Sequence, residues 1–290
     1  MCSAESRSSC VVVGIDGSRA ALDAALWAVD EAVDRDIPLR LMYAVTPRPR
    51  CRVDAREAAH DLATAEIAVR YAVTAVESTD SPVKIEVEIL QDNPARALLA
   101  AAGQAAILVV GAHGLDLSRR SRIGPVAAAV ATYAVCPVAV IRSYDPNPGQ
   151  RRGVVAEVDE TPAACNIVVA RAVEEARLRK LPLTVITTWQ SRFTDVHDCH
   201  AVSKGNRIAK ARLDRHVAAW RRRNPDVSIQ TKAVHGSTSQ YLAANAESIQ
   251  LLVVDKPLAR GFNALMGRPG YAAVAEADCS VLICEPQNVS

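Results

Sequence analysis

The sequence predicts an α/β protein made of two tandem domains, each a five-stranded, mostly parallel sheet with helices on both faces. Three observations predict it. Short Val-rich apolar runs alternate with segments of helical periodicity, the pattern of successive strand-helix units. Half of the 290 residues are hydrophobic but only 4% are aromatic, so the core is Val, Ala, Leu and Ile, which suits helices packed on parallel strands. The segments of the first half also recur in the second at a nearly constant offset.

In chain order, Cys10–Ile15 is a buried strand, and Asp16-Gly17-Ser18 is a turn with a ready helix N-cap. Residues 20–35 place Ala21, Ala24, Ala25, Ala28 and Ala32 at helical spacing, with Asp30, Glu31 and Asp34 elsewhere. Pro38 ends that helix and Leu39–Val45 is the second strand. A loop over 46–54 leads to a long helix, Ala55–Glu77, whose apolar positions include Leu62, Ile67, Val69, Ala72 and Val76. Val83–Leu90 alternates apolar and polar residues, as a half-exposed strand does. Asn93-Pro94 opens a helix to about Ala102. Ile107–Val110 is a buried strand, Pro125–Ala134 a helix and Pro137–Ile141 the last strand.

Residues 143–152, with two prolines, a glycine and charges, form a linker. The domains are therefore 1–142 and 153–290. In the second, Gly153–Val158 repeats the first strand and Asp159 stands where Asp16 stood. Leu181-Pro182-Leu183 repeats Ile37-Pro38-Leu39, Leu251–Val254 repeats Ile107–Val110, and Cys279-Ser280-Val281 repeats Cys136-Pro137-Val138.

A net charge of +2 is too small to argue for nucleic acid, and Arg221–Arg223 fit a solvated helix end. Eight cysteines in a chain of this length do not make a disulfide framework. Residues 1–10 are polar and lack a signal-peptide core, and the longest apolar runs fall short of a membrane span. The expectation is a cytoplasmic protein with reduced thiols.

Ligands of such sheets lie at the carboxyl ends of the strands where the strand order reverses. That crevice gathers Asp16, the end of the second strand near Val45, and Gly111–Pro125, and the candidate binding residues along it are Gly14, Ile15, Asp16, Val45, Val110, Gly111, Gly114, Gly124, Pro125 and Val126. Strand, glycine loop and helix N-terminus form a phosphate geometry: backbone N–H groups converge and the helix dipole is positive there. Gly111, Gly114 and Gly124 punctuate the loop, which also carries Arg119, Arg120 and Arg122. These arginines either reach a phosphate or are solvated. Asp16 either contacts a ligand or caps the next helix, and the roles are not exclusive. His113 either touches a ligand or is an exposed loop residue. Cys136 and Cys279 fit small apolar core residues, with redox sensing the alternative. Asp195, His197, Asp198, Cys199 and His200 crowd into six residues, but their spacing matches no common zinc site, and a solvated loop is the simpler reading. No nucleophile elbow or complete P-loop is present, which argues against an enzyme.

These residues together resemble the universal stress protein family in its tandem form. The match runs through Val12–Ser18, Asp92-Asn93-Pro94-Ala95 with Leu98, Leu108–Gly111, Gly114, Gly124 and Cys136-Pro137-Val138. The resemblance implies a flavodoxin-like fold (adenine-nucleotide α-hydrolase-like) and ATP bound through G-x2-G-x9-G-[S/T]. Gly111, Gly114 and Gly124 match in spacing, but Pro125 stands where the family has Ser or Thr. Proline offers neither hydroxyl nor N–H. Losing two charge-assisted hydrogen bonds costs about 1.5–3 kcal/mol each, enough to take micromolar binding to about millimolar. The resemblance also implies that Asp16 contacts the ribose or a Mg2+ held by the ATP.

The second half departs further. Asp255 replaces the first motif glycine, Leu258 stands near the second, Gly267 remains and Arg268 follows it. The counterparts of Gly14 and Gly17 are gone and Glu160 adds charge. The expectation is a second domain that kept the fold and lost the nucleotide. The family also implies that Pro137–Ile141 and Ser280–Cys284 pair as in its dimers, here within one chain as a pseudo-dimer, with a homodimer as further assembly. The functional expectation is a stress-response regulator that binds adenine nucleotide weakly through the first domain and acts on a protein partner. The alternatives are a nucleotide-independent scaffold and, third, a nucleotide hydrolase or transferase.

Overall fold

The computed structural model describes residues 9–47, 55–115, 123–145, 152–158, 162–190, 199–255 and 279–284. It divides into two compact units, Met1–Tyr144 and Asp145–Ser290.

The first unit runs β1 (Cys10–Ile15), α1 (Arg19–Arg35), β2 (Leu39–Val45), α2 (Ala55–Glu77), β3 (Ile85–Gln91), α3 (Pro94–Ala101), β4 (Ala105–Gly111), α4 (Pro125–Tyr133) and β5 (Val138–Ile141). Its strands are parallel in the order β3-β2-β1-β4-β5. The chain leaves β1 in one direction and returns to start β4 on its other side. Right-handed crossovers therefore put α1 and α2 on one face and α3 and α4 on the other. β1 and β4 are the buried centre, with Val11, Val12, Val13, Ile107, Leu108 and Val109 fully covered. β3, at the edge, is half-exposed, as its alternating sequence predicts.

Local chemistry sets the ends of these elements. Ser18 caps α1, its hydroxyl accepting from the Ala21 N–H at 3.1 Å. Asn93 caps α3 through the Arg96 N–H, and Pro94 supplies the fixed φ of a first helical turn. The third strand begins at Ile85 rather than Val83, because the Val83 N–H donates back to the Ser81 carbonyl at 2.8 Å in a tight turn. Helix α2 buries Ala65, Val69, Ala72 and Val76, whereas Leu62 and Ile67 lie outward. The helix, at about 1.5 Å per residue, is longer than the strand it covers, so its first turns overrun the sheet.

The second unit runs β6 (Gly153–Glu157), α5 (Pro162–Leu178), β7 (Leu183–Trp189), α6 (Cys199–Arg223), β8 (Ile229–His235), α7 (Thr238–Ala244), β9 (Ile249–Asp255) and β10 (Ser280–Cys284). Its strands are parallel in the order β10-β9-β6-β7-β8, with α5 and α6 on one face. The duplication extends to an irregularity: the register shifts between Cys10 and Val11 against β4, and between Gly153 and Val154 against β9.

Arg221 departs from the expected solvated helix end. Its guanidinium donates to the Ile229 carbonyl at 3.0 Å, to Thr231 at 3.0 Å and to Asp214 at 3.1 Å, pinning α6 to β8. Arg222 and Arg223 are exposed. Cys10, Cys136, Cys165, Cys279 and Cys284 are buried thiols. Burial pushes the Cys10 and Cys165 thiols up, and that of Cys284 to about 12, so these thiols are protonated at neutral pH and behave as apolar side chains. No helix among the described residues is long and apolar enough to cross a membrane.

Two predictions follow from this packing. A Cβ on Gly111 would stand 2.6–2.8 Å from backbone atoms of Ala20 and Ala21, so Gly111→Ala forces α1 away from β4. It should destabilise by about 1–3 kcal/mol, read as a fall of several degrees in thermal midpoint. Lys210, Thr231 and Arg221 hold the Asp214 carboxyl down to about 2, below its ordinary 3.8. A depressed carboxylate stabilises the fold above its unfolded pKa, and that contribution fades as pH falls through the folded value. The stability difference between the wild type and Asp214→Asn, measured by urea unfolding, should therefore shrink between pH 4 and pH 2.

Candidate functional site

The first unit holds a cavity of about 520 Å³ at the carboxyl ends of β1, β2 and β4. Nine of the ten residues predicted from sequence line it: Gly14, Ile15, Asp16, Val110, Gly111, Gly114, Gly124, Pro125 and Val126. Val45 does not. Its neighbours Ala44 and Thr46 do, while the Val45 carbonyl accepts from the Asp92 N–H at 3.1 Å.

The cavity has an apolar end and a polar end. Ile15, Met42, Leu98 and Val110 supply the apolar wall. Leu98 packs on Gly14, where an added Cβ would stand 3.0 Å from a Leu98 methyl. Tyr43 also lines this wall; burial, then Asp16 and Asp61, push its phenol up, so it stays protonated.

At the polar end Asp16 lines the cavity and braces the turn that leads into α1, whose cap is Ser18. Its Oδ1 accepts from the Ser18 N–H at 2.9 Å. Its Oδ2 faces the glycine loop: a Cβ on Gly114 would lie 3.0 Å away. Ser18 joins the same construction. Its hydroxyl, while capping α1, donates to the His113 carbonyl at 3.2 Å and so ties α1 to the loop. His113 itself lines the cavity. The two ends of the loop are clipped together, with the Gly124 N–H donating to the Ala112 carbonyl at 2.8 Å and the Ala112 N–H to the Ile141 carbonyl at 2.7 Å.

Helix α4 then starts with Gly124 as N-cap, no side-chain cap and Pro125 at its first position. Helix N-termini carry N–H groups without intrahelical partners. Here Val126 and Ala127, in the first turn of α4, line the cavity. The site thus offers main-chain donors and a positive dipole end opposite a carboxylate. Sequence reasoning omitted Met42, Tyr43, Pro94 and Leu98 from the site. The alternation of β2 points to Met42 and Ala44 as a pair on one face, and Leu98 lies one helical turn beyond Pro94.

The second unit is built differently at the equivalent points. By strand register Glu157 takes the place of Gly14 and Asp255 the place of Gly111. Both are buried. The Glu157 carboxylate accepts the hydroxyl of Thr238 on α7 and that of Thr188, the latter at 3.4 Å. A buried carboxylate held by α7 therefore stands at the position where Leu98 of α3 packs on a bare glycine in the first unit. Arg119, Arg120, Arg122, Asp159, Glu160, Leu258, Gly267 and Arg268 lie outside the described residues, as do Asp195, His197 and Asp198. Cys199 opens α6 and His200 is exposed there. Among the described residues no three His, Cys, Asp or Glu converge as metal ligands.

A sequence model of the universal stress protein family matches residues 10–142 and, a second time, 151–285. A universal stress protein of Mycobacterium tuberculosis H37Rv is 43% identical over 278 residues, 96% of each chain. Another from the same strain is 44% identical over 248 residues, 84% of this chain and 87% of the other. In fold, the crystal structure of a universal stress protein from Archaeoglobus fulgidus aligns over 97% of each chain with a TM-score of 0.67 at 12% identity. With the family pattern matched in both halves, and near relatives aligned over almost the full length, the chain belongs to the universal stress protein family.

Proposed function

We propose that the chain is a cytoplasmic stress-response regulatory protein whose first unit binds an adenine nucleotide, ATP, weakly, and that it works by binding a protein partner rather than by catalysis. The observation that carries this reading is the two-ended cavity. Apolar side chains from three strands and α3 suit a base, and the uncapped start of α4 with the Gly114 backbone suits phosphates. Asp16 Oδ2 suits a ribose hydroxyl or a Mg2+ ion, which commonly takes one carboxylate together with phosphate oxygens. Among the described residues the second unit shows no comparable crevice, and Glu157 and Asp255 put buried carboxylates at the positions of Gly14 and Gly111.

A specific observation favours a second reading, a scaffold that binds no nucleotide. The Gly124 N–H is already committed to the Ala112 carbonyl, and Pro125 has no N–H. Two donors at the centre of the phosphate cradle are therefore missing.

Calorimetric titration with ATP, ADP and AMP, with and without Mg2+, separates the two. The nucleotide reading expects saturable binding of one ATP per chain and a rise in thermal midpoint. Asp16→Ala and Gly124→Glu should abolish both. Pro125→Ser restores a hydroxyl and an N–H and should tighten binding about tenfold or more. No heat and no thermal shift up to millimolar nucleotide, in the wild type and in Pro125→Ser alike, would establish the scaffold reading.

A further inference from the structure

The second unit contains its own cleft, of about 430 Å³, between the end of β7 and the middle of α6. Val158, Thr187, Thr188 and Trp189 form the sheet side; Arg212, Arg215 and His216, with Ala209 and Leu213 between them, form the helix side. It overlaps the repeat image of the first unit's crevice only at the strand ends, where Val158, Thr187 and Thr188 stand in the places of Ile15, Tyr43 and Ala44. From those strand ends the first crevice continues towards the glycine loop, α3 and α4. The new cleft lies on the face covered by α5 and α6, the counterpart of the α1 and α2 face.

Repeat register shows what has changed there. Leu39 pairs with Ile85 and Leu183 with Ile229, so both flanking strands keep one offset. At that offset Arg212, Arg215 and His216 stand where α2 has Ala68, Tyr71 and Ala72, and Thr187 stands where β2 has Tyr43. Two alanines and an exposed tyrosine on α2 have thus given way to cationic side chains, and a strand tyrosine to a threonine. The charge of the whole helix follows the same direction. Helix α6 carries eight lysines and arginines against one aspartate, whereas α2 carries two against four acids. The chain outside α6 has 26 lysines and arginines against 31 acids. Positive charge is thus concentrated on this one helix, and Asp214, its single acid, is already held by Lys210 and Arg221.

The cleft wall is fixed. The Trp189 indole N–H donates to Asn206 Oδ1 at 2.8 Å, and its ring lies 4.7 Å from that of His235. Gly205 on α6 leaves room for the indole that any Cβ would occupy. Arg212, Arg215 and His216 sit at i, i+3 and i+4, so they project from one side of the helix. Guanidinium forks bind phosphate oxygens in pairs, and Val158, Ala209, Leu213 and the indole supply an apolar floor. The volume is that of a small-molecule site.

We propose that this cleft binds a small phosphorylated organic molecule, its phosphate held by Arg212, Arg215 and His216 and its apolar part against Trp189 and Leu213. The site is independent of the nucleotide crevice in the first unit. The test uses 1-naphthyl phosphate, which joins a phosphate to a flat apolar ring, and follows fluorescence anisotropy with the full chain. Saturable binding is expected, at least tenfold weaker in Arg212→Ala/Arg215→Ala, and unchanged in Gly124→Glu. Both arginines are exposed, and an unaltered melting curve verifies that the double variant stays folded. Arg222→Ala/Arg223→Ala removes equal charge from the same helix outside the cleft and should change affinity less than twofold. Absence of saturable binding up to millimolar probe overturns the proposal. So does loss of binding in Gly124→Glu, which assigns the probe to the first unit, or an equal loss in Arg222→Ala/Arg223→Ala, which reduces the effect to diffuse attraction.

Discussion

The first unit depends on a backbone-to-backbone approach at the end of β4. Gly111 lies so close to Ala20 and Ala21 that no side chain fits between them. That proximity brings the N-terminus of α1 beside the glycine loop, where Ser18 can cap its own helix and hold the His113 carbonyl at the same time. Asp16 is oriented by the same turn. One missing Cβ therefore sets the spacing between the carboxylate and the loop, and the crevice at the strand-order reversal takes its shape from it.

The two units show how one fold can be kept while its site chemistry is exchanged. Buried strand positions stay aliphatic in both, and even the register shift in the first strand is retained. The differences fall at the carboxyl ends of the strands and on one helix. Glycines become buried carboxylates at Glu157 and Asp255, and an acidic helix becomes a basic one. Exposed side chains on outer helix turns contribute little to the core, so their chemistry diverges at small cost to stability, whereas a buried carboxylate at a strand end needs partners, which Thr238 and Thr188 supply to Glu157.

Much of the fold was legible because apolar periodicity distinguishes a Val-rich strand such as Cys10–Ile15 from an alanine-striped helix such as Arg19–Arg35. The repeat then made each half a check on the other. The position of the glycine loop was legible from spacing alone. Val45 was misplaced because the pleat, not the identity of the residue, decides which neighbours at a strand end face a cavity. Tyr43 and Leu98 come from elements distant in sequence, and their directions follow from packing. Arg221 was read as solvent-facing because its partners, Asp214, Ile229 and Thr231, lie across a helix-strand contact that no local pattern announces. The second cleft was invisible for the same reason: Trp189 and Arg212 meet only once α6 is laid on β7.

The bond between the Gly124 N–H and the Ala112 carbonyl has a consequence for how this family can change. It closes the main chain into a ring whose interior, residues 113–123, begins and ends at the same point. Lengthening such a ring is inexpensive, since doubling a flexible loop adds only about 0.6 kcal/mol of closure entropy. Insertions and substitutions inside it leave β4 and α4 joined as before. The segment between those two residues can therefore vary in length and charge almost independently of the domain that carries it, as an interchangeable grip on a fixed handle.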